Sequence, residues 1–384
     1  MRFAIFTTMS GTDSEDTPVK LLDNLREQVI LAEELGFESV WLGEHHFRPY
    51  GLGDMPNPIV VGADLAARTT RIRIGQMSNI APWWHPIRLA EDLAILDNLS
   101  KGRVDVALGR GIYPYEGPQF HQNADPRNEQ ENRELFEETI EIIKNVWTQE
   151  YFSHEGPNYT FPAPETVFSN PRYASNPEWQ DGDRITRLRV TPKPYQKPHP
   201  PLWMSVSTDR SVSTAAELGL KACHWQPPPL RLRERFQRYA EIRSQVEGRP
   251  FIMGEDQAVL RLTYVTSTME DARREVESSV LSSFTYQQSL RGMQVFLNPG
   301  EEPGPDTRID WDFLERRNLL MGPPEHIAER IHELQELCGL DYLLMGHAHA
   351  RLSQKSILRN LELFGTKVMP MFKDKVDSAA GKGT

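Results

Sequence analysis

Residues 36–47 read GFESVWLGEHHF. Gly36 ends an amphipathic stretch, as a helix C-terminus would. The run SVWLG (39–43) that follows is apolar and short, as a buried strand is. Glu44, His45 and His46 then stand side by side where that strand runs out. Helix, buried strand and polar strand end in one dozen residues suggest a repeating βα unit with chemistry at its exit.

The rest of the chain repeats the unit. Seven further apolar runs have the same character: FAIFTT (3–8), RIRIGQM (71–77), VDVALG (104–109), PLWMSVS (201–207), LKACHW (220–225), AVLRLTYVT (258–266) and DYLLMGH (341–347). Helical periodicity is read over 21–37, 86–102, 132–147, 209–219, 230–247, 268–280, 323–338 and 353–366, and in the first of these Leu21, Leu25, Ile30, Leu31 and Leu35 form the apolar face. Eight strands alternating with eight helices imply parallel pairing through crossovers, most economically a closed α/β (β/α)8 TIM barrel. An open doubly wound sheet is the alternative, but no Gly-x-Gly-x-x-Gly turn follows the first strand. The reading is one domain over 1–372. It carries loop insertions at 155–200, which includes PKPYQKPHPP, and at 284–311, which includes NPGEEPGPD. The second insertion is expected to be a mobile lid, and the small polar tail 373–384 to be disordered.

Composition narrows the function. The 384 residues are 39% apolar with a formal charge of −11, which argues against nucleic acid or an anionic membrane as the main partner. Two cysteines, Cys223 and Cys338, make no disulfide framework. No apolar run reaches membrane-spanning length, and MRFAIFTTMSG is too short for a signal peptide, so a cytoplasmic location is expected.

In a TIM barrel, chemistry sits at the C-terminal strand ends. Arg110 lies there between two glycines, where backbone can approach a ligand and a guanidinium can fork onto an anion. VSTDRS (206–211) offers hydroxyls and N–H groups at a helix start, a ready anion site. Trp83, Trp84, Tyr113, Trp203 and Trp225 crowd the same rim. A phosphate tail and a large planar body describe a flavin. Each feature also has a plainer reading. VSTDRS can be only a helix cap, Arg110 an ion-pair partner, and His347 and His349 histidines bonded to carbonyls. Trp203 and Cys223 lie inside strands and read as core.

GFESVWLGEHHF, HPIRLAEDLAILDNLSKGR (85–103) and GRGIY (109–113), in that order, resemble the bacterial luciferase-like flavin monooxygenase family, and within it the luciferase α subunit. The likeness runs from residue 1 to about 372 and is weakest in the two insertions. It implies a barrel that binds reduced FMN supplied by a separate flavin reductase. O2 then adds to the flavin, and the resulting flavin hydroperoxide oxidises a small organic substrate: an aldehyde, ketone, alkane or aromatic. His45 matches the family's catalytic histidine and Glu44 a carboxylate beside the flavin. Met77 and Ser78 match a non-prolyl cis peptide under the ring. Arg110, Arg133, Thr208 and Ser211 match phosphate ligands, with Ser207 standing where the luciferase phosphate loop has an acid. Tyr113 and Trp225 match residues near the ring. Gly109 replaces a reactive cysteine of the luciferase α subunit, which leaves monooxygenation intact and makes light emission doubtful. A cytoplasmic homodimer is expected.

Three other functions stay open at this point. A deazaflavin-dependent oxidoreductase would use the same barrel for hydride transfer. A metal-dependent barrel hydrolase could use the imidazoles of EHH and HAH, although His-x-His pairs in amidohydrolase barrels follow the first strand and HAH (347–349) follows the last. A non-catalytic flavin-binding subunit would have no need of His45 and Arg110.

Overall fold

A computed structural model of the chain describes residues 1–9, 17–47, 55–172, 174–305, 307–349 and 351–373. The fold is a (β/α)8 barrel. Its strands are β1 (Arg2–Thr7), β2 (Ser39–Leu42), β3 (Arg73–Ile80), β4 (Val104–Gly109), β9 (Leu202–Val206), β10 (Lys221–Trp225), β11 (Gln257–Val265) and β13 (Tyr342–Gly346). The sheet order β10-β9-β4-β3-β2-β1-β13-β11 closes through a β10–β11 pairing. All eight apolar runs read from the sequence are these strands. A ninth, β12 (Leu319–Gly322), lies along the end of β11, with Leu262 facing Leu319 and Val265 facing Gly322. Between β4 and β9 come two antiparallel pairs of two residues per strand, β5 (His154–Glu155) with β6 (Thr160–Phe161) and β7 (Gln180–Asp181) with β8 (Arg184–Ile185).

The helices correct the sequence reading in several places. α2 (Pro58–Arg68) was missed, although Asn57 caps it and Pro58 opens it. α9 (Pro324–Cys338) is one of the eight helices expected, yet it belongs to the added β12 unit. On α1 (Pro18–Leu35) the buried stripe is Leu25, Gln28, Val29 and Ala32, at the i, i+3, i+4, i+7 spacing of one helix face. Ile30 lies off that stripe and is exposed. Gly36 does end α1, in the left-handed conformation at φ 88° that glycine adopts without a Cβ clash.

Residues by contact fall into two compact units: 1–55 with 71–75 and 203–384, and 56–70 with 76–202. In the first unit the strands pack around an aromatic cluster. Trp41 and Trp203 meet edge-on at 5.5 Å, and Trp203 meets Tyr342 at 5.8 Å. The Tyr342 hydroxyl accepts from Trp41 Nε1 at 3.1 Å and pairs with Ser39 Oγ at 2.6 Å, so the buried polar tips are satisfied. Gly75 makes room for this cluster: a Cβ there would stand 2.3 Å from the Trp41 ring. Trp203 is therefore core, as its position within a strand suggested.

The segment 284–311 is less irregular than its composition implied. α7 (Met269–Arg291) runs on to Arg291, because Val276, Val280 and Phe284 continue one buried stripe at a four-residue spacing. Phe284, Phe296 and Trp311 then share a core cluster, and α8 (Trp311–Asn318) begins at the far end. Aromatic anchors fix both ends of the stretch read as a lid. Of the tail expected to be disordered, 374–384 lies outside the described residues.

In the second unit α3 (Pro86–Leu99) and α4 (Glu129–Thr148) frame the inserted chain. Asp97 accepts from the Gln196 backbone N–H at 2.8 Å and from its Nε2 at 2.7 Å. Glu138 on α4 accepts from Asn158 N at 3.0 Å, Asn158 Nδ2 at 2.6 Å and Tyr159 N at 2.9 Å, and its Oε1 lies 2.9 Å from His154 Nε2. One buried carboxylate thus organises the β5–β6 hairpin. Residues 155–200 are an anchored insertion, rich in hydrogen bonds to the helices beneath.

Candidate active site

In the second unit, β3 ends in polar side chains. The peptide bond between Met77 and Ser78 is cis, at the position the resemblance implied. Met77 and Ser78 are both buried, as are Gln76 and Asn79. Among the described residues, Ser78 Oγ and all four polar atoms of the Gln76 and Asn79 carboxamides meet no hydrogen-bond partner. A buried polar group left unpaired costs about 1–3 kcal/mol, so such groups mark where a ligand or ordered water completes the structure.

β4 exits beside them through Gly109-Arg110-Gly111. The two glycines are dictated by protein neighbours as well as by any ligand. A Cβ at Gly109 would stand 3.0 Å from Ser78 Cβ and from Ile80 Cδ1. Gly111 has φ 82°, and a Cβ there would stand 3.1 Å from the Trp83 ring. The backbone of Arg110 is pinned to α4: Asn132 Nδ2 donates to the Arg110 carbonyl at 3.1 Å and to the Ala124 carbonyl at 3.2 Å. Arg133 Nη2 donates to Glu129 Oε1 at 3.0 Å, and Arg110 Nη2 lies 4.0 Å from the same oxygen. Burial lowers the pKa of Arg110, and the neighbouring Arg133 charge lowers it further. Two partly buried guanidinium groups facing one carboxylate make a corner suited to a multiply charged anion. Asn132 and Glu129 were not foreseen. Only the packing of the α4 N-terminus against the end of β4 brings them in.

Aromatic rings continue this corner. Trp83 stacks on Phe120 at 5.4 Å, and the buried Tyr113 stacks on Tyr115 at 5.8 Å.

In the first unit, β2 leads into Glu44, which is buried. His46 is the imidazole that meets it, with Nε2 3.2 Å from Glu44 Oε1. His45 is half-buried, and its backbone N–H donates to the Met55 carbonyl at 3.2 Å. The sequence could not tell which of two adjacent histidines would face the carboxylate. Trp225, at the end of β10, meets Phe6 edge-on at 5.2 Å.

Ser207, Thr208 and Ser211 do form a helix cap. Thr208 caps α5 (Asp209–Glu217) in a capping box with Ser211. Ser211 N donates to Thr208 Oγ1 at 3.1 Å, while Ser211 Oγ accepts from the N–H groups of Thr208 at 3.0 Å and Ser207 at 3.1 Å.

The other candidates serve the fold. His347 Nε2 lies 3.0 Å from Gln28 Oε1, and Gln28 Nε2 donates to Gln354 Oε1 at 2.8 Å. His349 Nε2 donates to the Thr263 carbonyl at 3.1 Å. Burial lowers their pKa values to about 3 and about 4, so both are neutral. Burial likewise raises the pKa of Cys223, a core residue. Among the described residues, no group of three or more His, Cys, Asp or Glu side chains is arranged to hold a metal ion.

The family model for luciferase-like monooxygenases matches residues 1–340. This chain belongs to that family. Luciferase-like monooxygenases are flavin-dependent enzymes, and the chain is an oxidoreductase of this kind. It is 31% identical over 281 residues to the oxygenase component of a flavin-dependent trigonelline monooxygenase from Acinetobacter baylyi, covering 71% of this chain and 67% of that one. It is 25% identical to an alkanal monooxygenase alpha chain from Photorhabdus laumondii, over 90% of each chain. The oxygenating constituent of 3,6-diketocamphane monooxygenase from Pseudomonas putida, solved with FMN, shares the fold at a TM-score of 0.75 and 21% identity, covering 96% of this chain and 98% of that one. Among the described residues, no helix is long and apolar enough to cross a membrane.

Proposed function

We propose that the chain is the oxygenase half of a two-component system. It takes reduced FMN from a separate flavin reductase and uses O2 to oxidise a small organic substrate: an aldehyde, ketone, alkane or aromatic. The observation that carries this reading is the Arg110–Arg133 corner, two cations sharing the Glu129 carboxylate beside a β3 end whose buried polar groups lack partners among the described residues. A flavin mononucleotide suits both features, with a dianionic phosphate for the arginines and a ring edge rich in donors and acceptors. The name of the Acinetobacter relative, an oxygenase component, supports delivery of the flavin by a second protein.

Reduced FMN, when bound, supplies the electrons and the site of reaction with O2. The chain's own residues do the rest. Arg110 and Arg133 hold the phosphate by charge-assisted hydrogen bonds, helped by Ser207, Thr208 and Ser211 at the start of α5. Met77, Ser78, Tyr113 and Trp225 would contact the ring. His45 moves a proton to or from the substrate, as an imidazole near neutrality can. Glu44, held against His46, would place a carboxyl group beside the ring. A cytoplasmic homodimer completes the proposal.

The test is a titration of the anaerobic protein with reduced FMN, followed by mixing with O2 and candidate substrates. Tight one-to-one binding and substrate-dependent product are expected. A protein that binds neither reduced nor oxidised FMN would overturn the reading.

A further inference from the structure

Glu129 is the first residue of α4, one turn before Arg133 on the same helix. An acid at a helix start paired with an arginine four residues on is a common stabilising arrangement. What is uncommon here is the third member. Arg110 comes from β4, and its Nη2 lies 4.0 Å from the oxygen that Arg133 already engages at 3.0 Å. Two guanidinium groups that repel one another are bridged by the Glu129 carboxylate, and Glu137 also acts on Arg110. The freedom of the three side chains differs. Glu129 is 51% exposed, whereas Arg133 is 21% and Arg110 25% exposed. Asn132 also pins the Arg110 backbone. Glu129 is thus the most exposed of the three side chains.

We infer that Glu129 is a built-in competitor for the flavin phosphate. It offsets part of the arginine pair's charge in the free protein, and a phosphate must displace it to reach both cations. The inference rests on the reading of Arg110 and Arg133 as phosphate ligands. It goes further in assigning a residue that weakens cofactor binding. Glu129 lowers the affinity twice, by stabilising the free arginines and by repelling the incoming dianion. The consequence is a phosphate site set for exchange. Flavin enters reduced and leaves oxidised, as a diffusing substrate does, in place of remaining as a permanent group.

The experiment compares Glu129→Gln with the parent protein, using FMN and riboflavin as the two probes. Glutamine keeps the shape and removes the charge at a half-exposed position, and circular dichroism checks that the fold is kept. FMN is expected to bind roughly two- to fivefold tighter to Glu129→Gln, the size of an exposed ion pair, with slower release on stopped-flow displacement. Riboflavin, which lacks the phosphate, is expected to bind unchanged. Unchanged or weaker FMN binding by Glu129→Gln, together with weakened binding by Arg110→Ala, would overturn the competitor role while sparing the phosphate assignment. An Arg110→Ala variant that binds FMN as the parent does would overturn both. Equal tightening of riboflavin and FMN would show that the charge acts elsewhere and would overturn the competitor role too.

Discussion

The β4–α4 corner and the end of β13 are both loaded with titratable side chains at barrel strand ends, and they differ in what those side chains do. At β13 each imidazole has a protein partner at Nε2. His347 meets Gln28, His349 meets a backbone carbonyl, and burial keeps both neutral. At β4 two arginines share the exposed acid Glu129, with Glu137 also acting on Arg110, and among the described residues the neighbouring β3 end carries buried polar groups without partners. Residue type at a strand end therefore says little by itself. A histidine pair that would suit a metal in isolation has protein partners, and an arginine flanked by glycines stands beside a second arginine and shares an acid with it.

The largest effect expected from this contrast belongs to His45. His45→Ala should keep FMN binding within a few-fold and lower product formation by about 100-fold or more, the usual contribution of a general acid–base group. Single-turnover product analysis checks it. A near-parental rate would move the role to His46, which holds Glu44, or to His85.

Arg110→Ala comes next. Loss of a charge-assisted hydrogen bond is worth about 1.5–3 kcal/mol, so FMN should bind roughly 10- to 150-fold more weakly, as read by equilibrium dialysis. His347→Leu is the opposing case. It leaves Gln28 Oε1 without its imidazole and should lower stability by about 1–3 kcal/mol in urea unfolding, with no change in FMN affinity. A loss of FMN binding with stability intact would erase the distinction between the two strand ends.

The last effect is a pH slope. The folded pKa of His347 is lowered to about 3 and that of His349 to about 4, from an ordinary value of 6.5. Both are neutral in the fold, whereas the unfolded chain protonates them below 6.5 and so binds more protons. Their stabilisation is complete above pH 6.5 and is lost as pH falls toward 4 and 3. Each histidine contributes a slope of about 1.4 kcal/mol per pH unit in that window. Unfolding measured from pH 6 to 4 should show a flatter slope for His347→Leu by about that amount.

Legibility in the sequence followed the same line. The barrel strands stood out because each is a short apolar run buried on both faces. α2 escaped because Val60, Val61 and Gly62 read poorly as helix, and β12 because LLMG is four residues long and abuts a helix. The end of α7 was hidden by Gln and Ser on its outer face, while Phe284 kept the buried stripe going. Of the proposed site, Arg110 could be marked from its Gly-Arg-Gly turn, whereas Arg133 and the Met77–Ser78 bond are marked only by the family resemblance. Glu129 and Asn132 could be marked by neither, since they matter only through contact with a residue about twenty positions away. Nor could local sequence choose His46 over His45 as the partner of Glu44. That choice depends on side-chain direction, which two adjacent identical residues do not reveal.

The central claim is that the chain transfers oxygen from O2 using reduced FMN. Its most direct test is isotopic. The protein, loaded anaerobically with reduced FMN, is mixed with 18O2 and a panel of carbonyl, hydrocarbon and aromatic compounds, and the products are read by mass spectrometry. The account predicts that a panel compound gains one 18O atom only when protein and reduced FMN are both present. It is contradicted if no compound gains label and reduced FMN is oxidised at the same rate with and without the protein.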